Sequence, residues 1–331
     1  MKLRSSLADP QGQRNLKAKY EQIYSESDVW LYKKSHGVHS VVFSQIRDHL
    51  SGARLLDVGC GAGRLALMCA TRAKHVDGLD FSETAVSMAQ LNASACGINN
   101  VSFLVADLDE YENPQPYQLI TLIGVLEHVK DPVTSLRRIN QLLEESGTAV
   151  VSCPNFLNFR GHSYMTLLTL LELPMSLADL RYVSYLDIQS WCQQTGFELL
   201  SSVGAIYRFG WDEKAVLDMI RRVPLAVRDK NLDIPLNYET YNDWLRSQVA
   251  INRQYLNYLE SQGFLKRIRR MVELRPQSVA GVDPEFVRKM HHYLDEDIEN
   301  DPFYCEVEPF CYHGGEGIYF LRKVSDCKLI Q

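Results

Sequence analysis

The sequence predicts an α/β protein with a mainly parallel sheet, and three observations support this prediction. Short apolar runs alternate with amphipathic stretches between residues 54 and 151, which is the pattern of successive β-α-β units. One of these runs leads into a turn with glycine at alternate positions, Gly59, Gly61 and Gly63. The chain has 331 residues, of which 46% are hydrophobic and 23% charged, so it can bury a full core.

The individual elements are predicted from where each apolar run begins and ends. Strands are predicted at residues 54–58, 75–80, 101–106, 119–124, 148–152, 197–203 and 317–323. Helices are predicted at residues 64–71, 82–95, 132–143 and 185–195. Ser82 is a typical N-cap, Asp131 precedes a proline at a first helical position, and Gly196 is a typical helix end.

A long segment, residues 207–313, separates the last two predicted strands and is rich in helix signals. Four large apolar residues recur on one helical face: Trp244, Ile251, Tyr255 and Tyr258. Asp283 before Pro284 indicates a further capped helix start. We therefore predict a helical insertion between the last two strands, which caps a substrate pocket, forms a homodimer contact, or does both.

Composition limits the partners and the location of the chain. The net charge of −6 and the pI of about 5.9 give no overall attraction for phosphates, so we expect no nucleic acid partner. The eight cysteines include no CxxC pair, and the N-terminus lacks an apolar signal core. No stretch approaches the ~20 apolar residues of a membrane span. We expect a cytoplasmic protein with reduced thiols and no membrane span.

The glycine turn is a candidate cofactor site. The strand before it ends in Asp57, and the helix after it begins near Arg64, so that backbone amides at a helix N-terminus can approach a ligand closely. By itself the turn fits two cofactors, because residues 61–66 also match a dinucleotide fingerprint with Asp80 near the ribose position. Asp107, followed by Leu108, favours an adenosine cofactor without a pyrophosphate over a dinucleotide, since a second acid after the third strand can hold an adenine amino group.

Together with Val125-Leu126-Glu127-His128-Val129, these residues resemble the class I S-adenosylmethionine-dependent methyltransferases. Within that family the Leu-Glu-His segment is similar to the small-molecule branch, which includes the ubiquinone-pathway O-methyltransferases. The resemblance covers about residues 50–204 and resumes at 317–323. It implies a Rossmann-like sheet of seven strands, mainly parallel, with an antiparallel last strand.

The resemblance also implies roles for single residues. Gly59 and Gly61 would lie against the methionine part of the cofactor, Asp80 at the ribose, and Gly124 beside the sulfonium. The adenine would contact Asp107 and Leu108. The full set of predicted cofactor-binding residues is Asp57, Gly59, Gly61, Gly63, Asp80, Phe81, Asp107, Leu108 and Gly124.

Methyl transfer from S-adenosylmethionine is an in-line displacement that leaves S-adenosylhomocysteine, so one base that removes a proton from the acceptor can suffice. His128 is the candidate base, because it follows the fourth strand and an imidazole titrates near neutral pH. We predict no required metal, since Gly124 stands where metal-binding relatives carry an acid.

The acceptor site is expected in the parts of the chain that vary most between relatives. In this family the N-terminal stretch commonly folds over the cofactor, so residues 1–50 are predicted as a helical lid. The predicted methyltransferase core is residues 51–206 and 314–331, and the insertion is residues 207–313. The candidate substrate residues are Tyr20, Tyr24, Trp30, His36, Asn155, Arg160, Arg181, Tyr182 and Tyr207.

Three functions remain open from the sequence. The leading hypothesis is methyl transfer to an oxygen, nitrogen or carbon nucleophile of a small-molecule acceptor. The first alternative is an RNA or protein methyltransferase that docks through the insertion and its basic run at residues 266–270. The second is a protein that binds the cofactor without catalysis.

Overall fold

The computed structural model describes residues 17, 18, 21, 25, 37–156, 159–171, 181, 183–205, 213–229, 231, 235–268, 274, 277, 283–285, 287, 288, 303–306 and 314–324. The α-helices in these ranges are α1 (Gly37–Ile46), α2 (Arg64–Ala70), α3 (Glu83–Cys96), α4 (Pro132–Leu142), α5 (Phe159–Leu171), α6 (Tyr185–Thr195), α7 (Glu213–Asp229) and α8 (Tyr238–Ser261). The strands are β1 (Arg54–Val58), β2 (His75–Asp80), β3 (Val101–Val105), β4 (Tyr117–Ile123), β5 (Leu143–Pro154), β6 (Phe197–Ala205), β7 (Leu265–Ile268), β8 (Phe303–Glu306) and β9 (Glu316–Lys323).

All strands join one sheet with the order β3-β2-β1-β4-β5-β9-β6-β8-β7. The strands β1 to β5 run parallel, and β9 lies antiparallel between β5 and β6. The predicted mainly parallel α/β sheet with an antiparallel last strand is therefore confirmed. Because parallel strands end at a common edge, the residues that follow β1, β2, β3, β4 and β5 meet there.

Two strands extend this sheet beyond the seven that the resemblance implies. Both come from the segment predicted to be helical, and β7 pairs antiparallel with β8, which pairs with β6. Each has four residues, too few for a clear period-2 pattern in the sequence. The basic run predicted as a docking patch begins in β7, where Arg267 forms an ion pair of 2.5 Å with Glu260.

Apolar side chains of alternate residues fill two layers, one on each face of the sheet. Leu55 packs with α1, α2 and α3 on one face, whereas its neighbour Leu56 packs with α4 and α6 on the other. This alternation follows from the period of two along a strand. It places Asp57 on the same face as Leu55 and therefore against α2, directly below the glycine turn.

Helices α5, α7 and α8 share a smaller apolar cluster that includes Tyr164, Met219 and Leu245. The predicted helical stripe in α8 is present, but it lies on the exposed side. Its side chains are exposed by 47% at Trp244, 59% at Ile251, 36% at Tyr255 and 56% at Tyr258. The buried positions are the next residues around the helix, Leu245, Asn252 and Leu259. Within the described ranges, no helix combines the length and the apolar content needed to cross a bilayer.

Candidate active site

The turn between β1 and α2 forms the centre of the candidate site. Gly59, Gly61 and Gly63 have φ angles of 68°, 53° and 85°, in the left-handed region where glycine is favoured. A Cβ atom on Gly59 would lie 2.6 Å from Cγ2 of Val125. Gly59 therefore brings the turn into close contact with the loop after β4, which a side chain at this position would prevent.

Asp80, the last residue of β2, lies directly beside this turn. Its two carboxylate oxygens accept hydrogen bonds of 2.9 Å from the backbone amides of Gly61 and Ser82. Ser82 in turn caps α3, because its hydroxyl accepts from the amide of Ala85 at 3.0 Å. Burial raises the pKa of the Asp80 carboxyl, and the two amides act in the opposite direction. The carboxylate is thus fixed at the sheet edge by two backbone donors.

Asp57 supports the turn from within the fold. Its carboxylate accepts a hydrogen bond of 2.6 Å from the hydroxyl of Thr121 in β4 and another from the amide of Ala66 in α2. The side chain is 2% exposed, and this burial raises its pKa to about 7. Both hydrogen bonds are internal to the protein, so Asp57 links β1, β4 and α2 at the base of the glycine turn.

The residues after β3 lie at the same edge of the sheet. Asp107 is exposed and its Oδ1 accepts a hydrogen bond of 3.0 Å from the amide of Asp109, so it caps a turn. Leu108 is 8% exposed and packs in the layer that faces α4 and α6. Phe81 is half-buried next to Asp80. Contacts of these three residues with an adenosine group stay a prediction.

The loop after β4 carries the candidate base. Gly124 has a φ angle of 69°, and its amide donates to both the carbonyl and the hydroxyl oxygen of Ser152, each at 3.2 Å. Glu127 is buried, and its Oε1 lies 3.8 Å from Nε2 of His128. The His128 side chain is 18% exposed, so it reaches the surface of the site while the carboxylate beside it is enclosed.

The residues predicted to bind the methyl acceptor fall into three groups. Asn155 is half-buried after β5, where its amide donates to the carbonyl of Gly315 at 3.0 Å. Arg181 directs its guanidinium at backbone carbonyls of the loop after β4. Outside the described residues lie Tyr20, Tyr24, Trp30, His36, Tyr182, Tyr207 and the side chain of Arg160.

Two further carboxylates, Glu316 and Glu21, were not among the sequence candidates. Glu316 begins β9 and accepts a hydrogen bond of 2.8 Å from the hydroxyl of Ser152, which also contacts the Gly124 amide. Glu21 accepts hydrogen bonds from the amides of Glu83 and Thr84 at 2.9 and 3.3 Å, at the start of α3. The only sequence signal for Glu316 was its position directly before a predicted strand. The sequence around Glu21 gave no signal.

These residues fit S-adenosylmethionine in charge. The cofactor is a cation with a ribose, and the edge offers the fixed carboxylate of Asp80 beside the backbone of the glycine turn. In this arrangement Gly59, Gly61 and Asp80 would hold it. Among the described residues, no three His, Cys, Asp or Glu side chains converge into a metal site, and the prediction of metal-independent chemistry stays a prediction.

Comparison with known proteins places this arrangement in a family. The methyltransferase domain family matches residues 36–202, which are 167 of the 331 residues. The ubiquinone biosynthesis O-methyltransferase of Leptothrix cholodnii is 30% identical over 167 residues, which cover 48% of this chain and 69% of that enzyme. The enzyme of the same name from Neisseria meningitidis serogroup C is 28% identical over 207 residues, covering 57% of this chain and 84% of that enzyme.

The fold is also shared with a solved structure. A candidate sarcosine dimethylglycine methyltransferase from Galdieria sulphuraria has a TM-score of 0.50 at 12% identity, covering 92% of this chain and 98% of that one. The family match runs from the start of α1 into β6 and so contains the glycine turn, Asp80 and the loop after β4. The chain belongs to the methyltransferase domain family and is an S-adenosylmethionine-dependent methyltransferase of class I.

Proposed function

We propose that this methyltransferase acts on a hydroxyl group of a small-molecule acceptor, with His128 as the general base. The observation that carries the proposal is the pair formed by Glu127 and His128, 3.8 Å apart in the loop that follows Gly124. The names of the curated relatives support an oxygen acceptor, because they are O-methyltransferases. The acidic chain and the ion-paired Arg267 in the basic run argue against an RNA substrate.

Different residues bind the cofactor and transfer the proton. Bound S-adenosylmethionine supplies a methyl group on a positively charged sulfur, which needs no further activation. Asp80, the glycine turn and Gly124, whose amide donates to Ser152, would hold the cofactor. His128 takes the proton of the acceptor hydroxyl, and the buried carboxylate of Glu127 stabilises the imidazolium that results.

The proposal extends to the parts around the core. Residues 1–50 act as a lid, which the contact of Glu21 with the start of α3 beside Asp80 supports. Residues 207–313 act as a unit that covers the acceptor or joins two copies, which the exposed stripe of α8 supports. A cytoplasmic location is part of the same proposal.

A methyl-transfer assay tests the acceptor class. The protein is incubated with methyl-labelled S-adenosylmethionine and, separately, with small-molecule, RNA and protein fractions of a lysate and with a panel of phenols and alcohols. We expect label in the small-molecule fraction as an ether that resists mild alkali. Label confined to RNA or protein would contradict the proposal, and cofactor binding without label in any fraction would favour a non-catalytic role.

Two histidine variants test the base. His128→Asn removes the proton acceptor, and we expect kcat to fall by about 10²-fold or more while cofactor affinity changes little. His49→Asn is the matched control, because His49 is exposed in the turn of 3-10 helix after α1. Equal kcat values for the two variants would show that His128 is not the base.

A further inference from the structure

The backbone of the loop after β4 converges on one side chain that lies outside the loop. The guanidinium of Arg181 donates to the carbonyl of Leu126 at 3.2 Å and to that of Lys130 at 2.8 Å, and it also donates to the carbonyl of Val129. Arg181 is separated from these partners by more than fifty residues of sequence. A single cation therefore ties together both ends of the turn that contains Glu127 and His128.

The contact uses properties that are specific to arginine. The guanidinium is planar and carries five N–H donors in fixed directions, so it can serve several carbonyls at once. Burial lowers the pKa of Arg181 from its ordinary value, and Asp131 and Glu127 act in the opposite direction. A lysine would bring the charge but only a single nitrogen, so it could not span carbonyls at both Leu126 and Lys130.

Asp131 fixes the other side of the same loop. It is the N-cap of α4, and its carboxylate accepts from the amides of Val133 and Thr134 at 3.0 and 3.4 Å. Gly124 fixes the beginning of the loop through Ser152. Between these two anchors, Arg181 holds the backbone carbonyls of Leu126, Val129 and Lys130 from outside the loop.

We propose that Arg181 is a positioning residue, which holds the loop so that Glu127 and His128 keep their arrangement at the active edge. The inference rests on the proposed function of His128, and it differs from the substrate-binding role that the sequence alone indicated for Arg181. At least three of its donors face the loop, so the guanidinium acts on the acceptor through the loop. Arg181, which precedes α6, thereby influences catalysis by holding the loop after β4 in place.

Hydrogen exchange of the unliganded protein tests this directly, because it does not depend on activity. The amide of His128 donates to the carbonyl of Val125 at 2.9 Å, which gives the loop a protected reporter. In Arg181→Ala we expect exchange at residues 126–130 to accelerate by about tenfold or more, because three carbonyls lose their donor. Arg181→Lys is measured beside it, in case the alanine variant unfolds, and we expect an intermediate rate.

Arg138→Ala is the matched control. Arg138 is also half-buried, and its guanidinium donates to the carbonyl of Tyr111, so the variant loses a contact of the same kind away from the loop. We expect wild-type exchange at residues 126–130 in this control. Steady-state kinetics add a second readout: in Arg181→Lys, kcat should fall by about tenfold or more while cofactor affinity stays within about threefold.

Unchanged exchange at residues 126–130 in both Arg181 variants would overturn the inference. So would equal acceleration in Arg138→Ala, or a loss that appears only as a higher KM for the acceptor, which would indicate direct substrate binding. Failure of the proposed function has a different signature, since wild-type protein would then methylate none of the acceptors while the exchange result still decides the role of Arg181.

Discussion

The hydroxyl of Thr121 lies 2.6 Å from a carboxylate oxygen of Asp57, on the side of the sheet that faces α2. Because Asp57 and Thr121 are direct partners in the parallel pairing of β1 and β4, this bond joins two neighbouring strands just below the glycine turn. Because the carboxyl of Asp57 is buried between these strands, the stability of the folded protein depends on pH.

The first prediction concerns Asp57→Asn. Burial raises the folded-state pKa of Asp57 from 3.8 to about 7, so the folded protein binds the proton more tightly than the unfolded chain does. This contribution to stability is fully present below pH 4 and is lost as the pH rises through about 7. Between pH 5 and 7 we expect the wild type to lose on the order of 2 kcal/mol relative to Asp57→Asn.

Urea denaturation of both proteins at several pH values measures this difference. Asp48→Asn is the control, because the Asp48 side chain is 78% exposed. It should follow the wild type at every pH. Parallel pH profiles for the wild type and Asp57→Asn would show that the Asp57 carboxyl is ionised normally in the folded protein.

The second prediction concerns Gly59→Ala, which combines backbone strain with a clash. Gly97 also has a positive φ angle, 66°, but a Cβ atom there meets nothing within 4 Å. Gly97→Ala should therefore cost only about 1 kcal/mol and leave cofactor binding unchanged. Gly59→Ala should cost about 2–4 kcal/mol, because the new Cβ overlaps Val125.

A double variant separates the two causes. Adding Val125→Ala to Gly59→Ala removes the Cγ2 atom that the new Cβ would meet, so part of the lost stability and cofactor affinity should return. Thermal unfolding and calorimetric titration give both quantities. If Val125→Ala restores nothing in the double variant, the close approach of the turn and the loop is not the reason for glycine at position 59.

The third prediction concerns Glu316, which links the last strand to the Gly124 turn through Ser152. Glu316→Ala leaves the buried Ser152 hydroxyl without this acceptor, and we expect a loss of about 1–3 kcal/mol together with slower turnover. Glu198→Ala is the control, because Glu198 lies on β6, the other neighbour of β9 in the sheet. Its ion pair with Arg322 is exposed, so we expect a loss of at most about 1 kcal/mol. Equal turnover in the two variants would separate Glu316 from the active site.

Much of the core could be predicted because its signals are local. The glycines of the turn, the cap at Ser82 and the Asp131-Pro132 start of α4 each act within a few residues of sequence, and the structure has all three as expected. The late strand β9 was also predictable, since its apolar run is long enough to be recognised in the sequence.

The rest depends on contacts that are remote in sequence. Nothing local to Arg181 indicates that its partners are carbonyls of residues 126–130, and nothing near Glu316 points to Ser152. The exposed stripe of α8 illustrates a different difficulty, because Trp244 and Leu245 are both apolar and the sequence does not say which one faces the protein. The short strands β7 and β8 pair with each other across more than thirty residues of sequence, and β8 joins the sheet at β6.

The central claim is that the turn and Asp80 bind S-adenosylmethionine, and calorimetric titration tests it most directly. We predict that the wild type binds S-adenosylmethionine and S-adenosylhomocysteine but not NAD, whose fingerprint residues 61–66 also match. Asp80→Ala should weaken this binding by about tenfold or more, and Asp48→Ala should leave it unchanged. Binding of NAD, or an unchanged affinity in Asp80→Ala, would contradict the account.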